Sequence, residues 1–130
     1  MLKSLIVFLI SALLILSCSK KDKIKATLEE GTIEEQMILA YKEGLEFLEK
    51  GDALYASKKF NEAEILFPQS NWASRASLMS AYSYYSQEYF VNAVGELERF
   101  LETYQNHERT SYAYYLLGIC YYDQIVDEKR

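Results

Sequence analysis

Backbone breakers are scarce in this sequence: its 130 residues hold five glycines and one proline. A β-sandwich or barrel needs frequent turn residues, so an all-β fold is excluded. Two cysteines and one histidine leave no ligand set for zinc or haem, and no cofactor is expected. Positive charge is also short. Against 19 Asp and Glu stand 14 Lys and Arg, for a net charge of −5 and a pI near 4.9. Non-specific nucleic-acid binding needs a basic face, and this balance argues against it. The longest apolar run, residues 5–16, is twelve long and broken only by Ser11. A bilayer-spanning helix takes about 20. What the chain does have is a half share of apolar residues and a quarter of charged ones, a composition that folds. Tyrosine is abundant: twelve in all, ten of them between Tyr82 and Tyr122.

Residues 1–17, with Lys3 ahead of the apolar run, read as a signal peptide. The run ends in Leu14-Ile15-Leu16-Ser17-Cys18. A hydrophobic residue three before a cysteine and a small one just before it resemble the lipobox of bacterial lipoproteins. That resemblance implies cleavage before Cys18 and acylation of its nucleophilic sulfur. Each acyl CH₂ buried in a leaflet contributes about 0.8 kcal/mol, so several chains anchor firmly. Ser19 stands where such proteins often carry an Asp for inner-membrane retention, which points to the outer membrane. Residues 18–32 are polar, with Lys20, Lys21, Lys23 and Lys25 ahead of Glu29 and Glu30, and read as a lipidated tether.

From residue 33 onward helical spacing takes over. Thr32 and Glu35 form a capping-box pattern. Ile33, Met37, Ala40, Tyr41, Gly44, Leu45 and Leu48 follow at helical intervals. Gly51 breaks this helix, Asp52 caps a second one, and Pro68 stops it. The chain then repeats with a period of 37: Gly44, Ala81 and Gly118 are small, while Phe47, Tyr84 and Tyr121 are aromatic. Ala56 matches Ala93, and Phe60 matches Leu97. Small residues where helices cross, with bulky ones beside them, build packed helical hairpins.

This pattern resembles the tetratricopeptide repeat, most closely at Tyr114-x-x-Leu117-Gly118-x-x-Tyr121. The expected fold is all-α, a solenoid of helical hairpins over residues 33–130. Its units run from about 37 to 70, 74 to 107 and 111 to 130, the last stopping after its first helix. That helix is apolar nearly all round, so further repeats or a partner are expected to cover it. In the repeat architecture the first helix of each unit lines a concave groove. By register the groove positions are Ile38, Tyr41, Leu45 and Leu48, then Arg75, Leu78, Tyr82 and Tyr85, then Tyr112, Tyr115, Ile119 and Tyr122. Half are tyrosines, which combine contact area with a hydroxyl and suit an extended, aromatic-bearing peptide. The groove candidates are Tyr41, Arg75, Tyr82, Tyr85, Tyr112, Tyr115 and Tyr122. Tyr82, Tyr85 and Tyr115 are the expected substrate contacts.

No catalytic set is visible. His107 stands beside Glu108 and reads as a solvated loop residue. Cys120 lies mid-helix among apolar residues and reads as a buried thiol. Glu96, Glu98 and Glu102 read as a solvated helix face with Arg99 offering spaced pairing.

Over nearly the whole chain the sequence resembles the BamD family of outer-membrane assembly lipoproteins. The residues that carry the likeness are the lipobox at Cys18, Phe67-Pro68-Gln69-Ser70-Asn71-Trp72-Ala73, Ala81-Tyr82-Ser83-Tyr84-Tyr85 and Tyr114-Tyr115-Leu116-Leu117-Gly118. The resemblance implies a non-enzymatic scaffold on the periplasmic face of the outer membrane. It would bind the barrel insertase BamA and accessory assembly lipoproteins, and receive the carboxyl-terminal segments of unfolded outer-membrane proteins. Arg75 would then face a guest's terminal carboxylate. Alternatives in other classes are a pilus-secretin pilotin and an accessory factor of a cell-wall enzyme. They are told apart by the partner crosslinked in cells, a secretin or a cell-wall hydrolase instead of BamA. Mass spectrometry of the protein from cells is expected to find Cys18 as the first residue and acylated; a bare Cys18 thiol there would remove the anchor.

Overall fold

The computed structural model describes residues 31–127, so the signal peptide, the lipidation site Cys18 and all but the end of the tether lie outside the described residues. Five helices follow one another: α1 (Ile33–Glu49), α2 (Ala53–Leu66), α3 (Asn71–Tyr85), α4 (Phe90–Thr103) and α5 (Thr110–Asp127). Each packs chiefly on the helix before it and the helix after it, as in a tetratricopeptide-like hairpin array. Short connections make neighbours antiparallel, so α1, α3 and α5 run the same way.

Local chemistry fixes the boundaries. The Thr32 N–H donates to Glu35 Oε2 at 2.8 Å and the Glu35 N–H donates to Thr32 Oγ1 at 3.2 Å, the reciprocal capping box. Asp52 Oδ1 accepts from the Tyr55 N–H and starts α2. Helix α2 ends at Leu66, because Phe67 precedes Pro68 and takes a non-helical conformation, φ −141° and ψ 68°. Ser70 Oγ accepts from the Ala73 N–H and starts α3. Gly51 turns the chain at φ +75°, and Glu88, one repeat period later, makes the same left-handed turn at φ +62°. Glu88 pays there a steric cost that Gly51 does not.

Two cores result. Met37, Ala40, Ala56, Phe60, Ala63 and Ala76 form the first. Leu78, Ala81, Ala93, Leu97, Phe100, Ala113, Leu116 and Cys120 form the second. Helix α3 contributes to both. Its buried residues are mainly Ala73, Ala76 and Ala81 with Ser74, Ser77, Ser80 and Ser83. Each of those serine hydroxyls has a partner: His107 Nε2 at 3.0 Å, Arg99 Nη2 at 3.1 Å, Ser57 Oγ at 2.7 Å and the Met79 carbonyl at 2.7 Å. Among the described residues no buried side-chain N or O is left without a hydrogen bond.

Two expectations need correcting. The Glu96–Arg99 face is not simply solvated. Arg99 reaches across to α2 and grips Glu64 with both terminal nitrogens, at 3.0 and 2.8 Å, while Glu96 holds it from α4 at 2.9 Å. Asn61 and Ser77 accept further Arg99 bonds, and the Tyr104 hydroxyl donates to Glu64 at 2.8 Å. Glu64 is buried, so the pair ties the two hairpins in a partly dry setting. Burial and that carboxylate both push the Tyr104 phenol far above its ordinary value. Glu98 instead accepts from the Tyr121 hydroxyl at 3.1 Å. His107 is not a free loop residue either. Besides Ser74, it accepts from the Arg109 N–H at 3.2 Å and sets its ring edge-on to Phe100. The ring is half-buried because local turns shape the α4–α5 connection, with the His107 N–H donating to the Tyr104 carbonyl and the Thr110 N–H to the His107 carbonyl, each at 3.0 Å.

The register of small residues has unequal consequences. A Cβ on Gly44 would sit 2.8 Å from Cε1 of the fully buried Phe60 ring. Gly118, two periods later, has nothing within 4 Å of that position. Gly44→Leu is therefore expected to cost roughly 1–3 kcal/mol by overpacking. Gly118→Ala is expected to be neutral or to stabilise by up to about 1 kcal/mol through helix propensity. Urea unfolding of both variants checks the contrast, and equal effects would contradict the packing. Glu64→Ala strands Arg99 and is expected to cost roughly 1–3 kcal/mol. That is below the usual fully buried value because Arg99 is partly exposed. The same unfolding experiment reads it, and no change in midpoint would show the grip to be idle.

Candidate functional site

The first helices of the hairpins share one side of the array, and a cavity of about 580 Å³ opens there. Its lining is Tyr41 from α1, then Arg75, Leu78, Met79 and Tyr82 from α3, then Arg109 and Tyr112 at the start of α5. Helical spacing explains the α3 set. Arg75, Leu78 or Met79, and Tyr82 lie three or four residues apart and so share a stripe. Leu78 is buried in the second core and forms the floor, while Arg75, Tyr82 and Tyr112 are exposed along the walls.

Five of the register-based groove positions thus meet around one cavity: Tyr41, Arg75, Leu78, Tyr82 and Tyr112. Tyr85 and Tyr115 adjoin it. The Tyr82 and Tyr85 rings are 6.2 Å apart, and the Tyr112 and Tyr115 rings 6.4 Å apart. Tyr85 is half-buried and tilts against Phe90, whereas Tyr115 stands in solvent. Tyr122 lies further along α5, exposed and outside the lining. Ile38, Leu45, Leu48 and Ile119 are also outside the lining, and Leu48 packs on the first core.

Two lining residues escaped the sequence reading. Met79 adjoins Leu78 on the α3 stripe. Arg109 precedes the first residue of α5, so a register counted from helical positions passes over it. Its available signal was its place one turn before Tyr112, which brings both side chains to one face.

One corner is built from aromatic edges. Tyr41 meets Phe60 and Trp72 edge-on, each with ring centroids 5.2 Å apart, and the Arg75 guanidinium lies 5.4 Å from the Trp72 ring centre. Trp72 is the one tryptophan of the sequence, so its emission reports on this corner. Burial pushes the Tyr41 phenol up, and the charges of Arg75 and Arg109 pull it partly back. Burial, with the neighbouring tyrosines, also raises Tyr112. Tyr85 is raised by burial and then by Asp123. These hydroxyls are neutral near pH 7, able to donate and accept hydrogen bonds.

The groove therefore offers aromatic surface, phenolic hydroxyls and two cations. Among the described residues no carboxylate lines it. Among the described residues no group of three or more His, Cys, Asp or Glu could hold a metal ion. Cys120 is fully buried, and burial raises its thiol, which makes it a poor nucleophile. Among the described residues no helix is long and apolar enough to cross a membrane.

Comparison with known proteins gives a consistent answer. A family described as outer membrane lipoprotein (YfiO) matches residues 33–130. The chain is 37% identical over 115 residues to the outer membrane protein assembly factor BamD of Caulobacter vibrioides, covering 87% of this chain and 36% of that protein. It is 28% identical to the factor of the same name from Xylella fastidiosa (strain Temecula1), covering 88% of this chain and 38% of that protein. For the Rickettsia prowazekii factor the identity is 30%, with coverage of 92% and 47%. The chain thus spans well under two thirds of the length of these relatives. The matched region holds the whole helical array described above, and the chain belongs to the YfiO family of outer membrane lipoproteins.

Proposed function

We propose that the protein is a non-enzymatic scaffold for the assembly of outer-membrane β-barrel proteins. Acyl chains on Cys18 hold it to the periplasmic face of the outer membrane, after removal of residues 1–17, and residues 18–32 serve as the tether. The helical units then hold extended, aromatic-bearing segments of unfolded barrel proteins, their carboxyl-terminal segments above all, for transfer to BamA and its accessory lipoproteins. The names of the relatives support the assembly role. The family description supports the outer-membrane place.

The observation that carries the groove's share is the meeting of Tyr41, Tyr82 and Tyr112 around one open cavity. Aromatic side chains of a guest gain about 0.5–1.5 kcal/mol per well-placed aromatic neighbour beyond the area they bury. Tyrosine holds few rotamers, so little entropy is lost when the guest docks. An extended segment keeps unpaired backbone groups, and the phenolic hydroxyls can reach them.

Tyr82, Tyr112 and Tyr115 are exposed enough to be replaced without disturbing a core. Tyr85 is kept, because it packs against Phe90. The triple change to Ala is expected to weaken binding of a barrel-protein carboxyl-terminal peptide by about tenfold or more, with unchanged helical circular dichroism. Equal affinity of the triple variant and the parent chain would refute the groove as the peptide site.

A further inference from the structure

One end of the helical array carries an apolar rim. The start of α1, the end of α2 and the start of α3 come together there, because neighbouring helices are antiparallel. Met37, Ala63 and Ala76 lie together in the first core. One turn further out along the same three segments stand Ile33, Phe67 and Trp72, and they are not covered: 60%, 38% and 41% of their surfaces are exposed. The backbone at this rim is pinned. Gln36 Nε2 donates to the Gly31 carbonyl at 3.0 Å beside the Thr32–Glu35 box, so the chain enters α1 at a fixed point. Ser70 donates to the Phe67 carbonyl with its N–H at 3.0 Å and with its hydroxyl at 2.7 Å, which holds the turn between Phe67 and Trp72. Charge at this end is mixed, with Glu34, Glu35 and Glu108 against Arg109, so apolar area is its distinguishing feature. The opposite end also exposes apolar residues, Leu54 and Val91, but the 17 residues of α1 put it about 25 Å away.

We propose that Ile33, Phe67 and Trp72 seat this end of the array on the lipid headgroup layer of the leaflet that holds Cys18. The proposal rests on the lipid anchor proposed above and adds a second contact to it. What selects lipid as the occupant is where the chain outside the described residues ends. Residues 18–32 run from the anchored sulfur to the first turn of α1, beside Ile33. Even fully extended they span at most about 50 Å, so this rim stays close to the leaflet. The opposite end meets lipid only if the whole array turns over and the tether runs back along α1. The chemistry of the rim also fits. Tryptophan joins a large apolar ring to an N–H donor, and such side chains settle at the membrane–water interface. Ile33 and Phe67 add apolar area for the boundary between headgroups and acyl chains. The anchor alone limits distance and leaves orientation free; the seat fixes orientation. With three helix ends on the leaflet, the groove on the side of α1, α3 and α5 opens along the membrane surface.

The test uses the chain from Cys18 onward, coupled through that thiol to a maleimide-headgroup lipid in phosphatidylcholine vesicles. Cys120 is fully buried, which leaves Cys18 as the reactive thiol. Coupling supplies the anchor chemically, so the seat is tested whether or not cells acylate Cys18. Trp72, the one tryptophan, is read with dibrominated acyl chains as the quencher. Its emission is expected to fall by about half against unbrominated vesicles, equally at low and high salt, because apolar contact is not screened. Ile33→Gln with Phe67→Gln is expected to remove most of that quenching at unchanged helical circular dichroism. Leu54→Gln with Val91→Gln, at the opposite end, is expected to leave it as it was. Emission that brominated lipid does not quench overturns the seat and leaves the anchor standing. Quenching that survives the change at Ile33 and Phe67 overturns it too, as does quenching lost with Leu54 and Val91. Quenching that appears only with added phosphatidylglycerol and vanishes in high salt assigns the contact to charge, through the tether lysines, and overturns the apolar seat. A bare Cys18 thiol in cells removes the anchor itself, a result read separately by mass spectrometry.

Discussion

Helix α3 is flanked by helices on both sides, and what permits this is the size of its inward side chains. Alanine and serine on α3 let the α2 and α4 backbones come close, and each core then fills with the larger residues opposite, Phe60 on one side and Leu97 with Phe100 on the other. Serine in such a place would destabilise if its hydroxyl went unpaired. Here Ser80 pairs with Ser57, and Ser77 with Arg99, so the polar atoms become joints between hairpins. The bulky residues of α3 that cannot point inward, Arg75 and Tyr82, are left on the concave side. The groove is thus the complement of the tight crossing.

The grip of Arg99 on Glu64 gives this arrangement its rotational setting. Apolar packing between helices of small residues is tolerant of sliding, because alanines offer few distinct shapes. A forked guanidinium on a buried carboxylate accepts only one alignment. With Tyr104 and Asn61 completing the carboxylate's and guanidinium's bonds, the network is satisfied, which is the condition for a buried ion pair to persist. By fixing α4 against α2, it also fixes where α5 begins, and with it Arg109 and Tyr112. Structure on the convex side therefore positions chemistry on the concave side.

The helices themselves were legible in the sequence because their signals are local. Thr32 with Glu35, Asp52, and Pro68 act within one turn, and they do so in the structure. The 37-residue spacing of Gly44, Ala81 and Gly118 was legible because packing of like hairpins repeats. What that spacing could not say is which small residue is needed. Gly44 is pressed by Phe60, Ala81 is enclosed, and Gly118 faces open space, since the environment of each is set by a helix distant in sequence or by none among the described residues. Likewise Glu88 fills the left-handed turn that Gly51 fills one period before, a substitution that composition gives no reason to expect. The acidic face of α4 misled for a related reason: spacing identified Glu96 and Arg99 as neighbours, but the decisive partner, Glu64, is 35 residues away.

By itself the sequence determined the helical class, the repeat, the caps and the side of each first helix that carries tyrosine, because these follow from the backbone's period and from contacts within a turn. Only the tertiary structure decided that His107 is held between Ser74 and Phe100 and that Arg99 locks the hairpins. It alone brought Arg109 to the mouth of the cavity beside Tyr112, across from Arg75 and Tyr41. Those outcomes depend on the angle at which one hairpin lies on the next, a quantity carried by many weak contacts far apart in the chain and written in no single stretch of it.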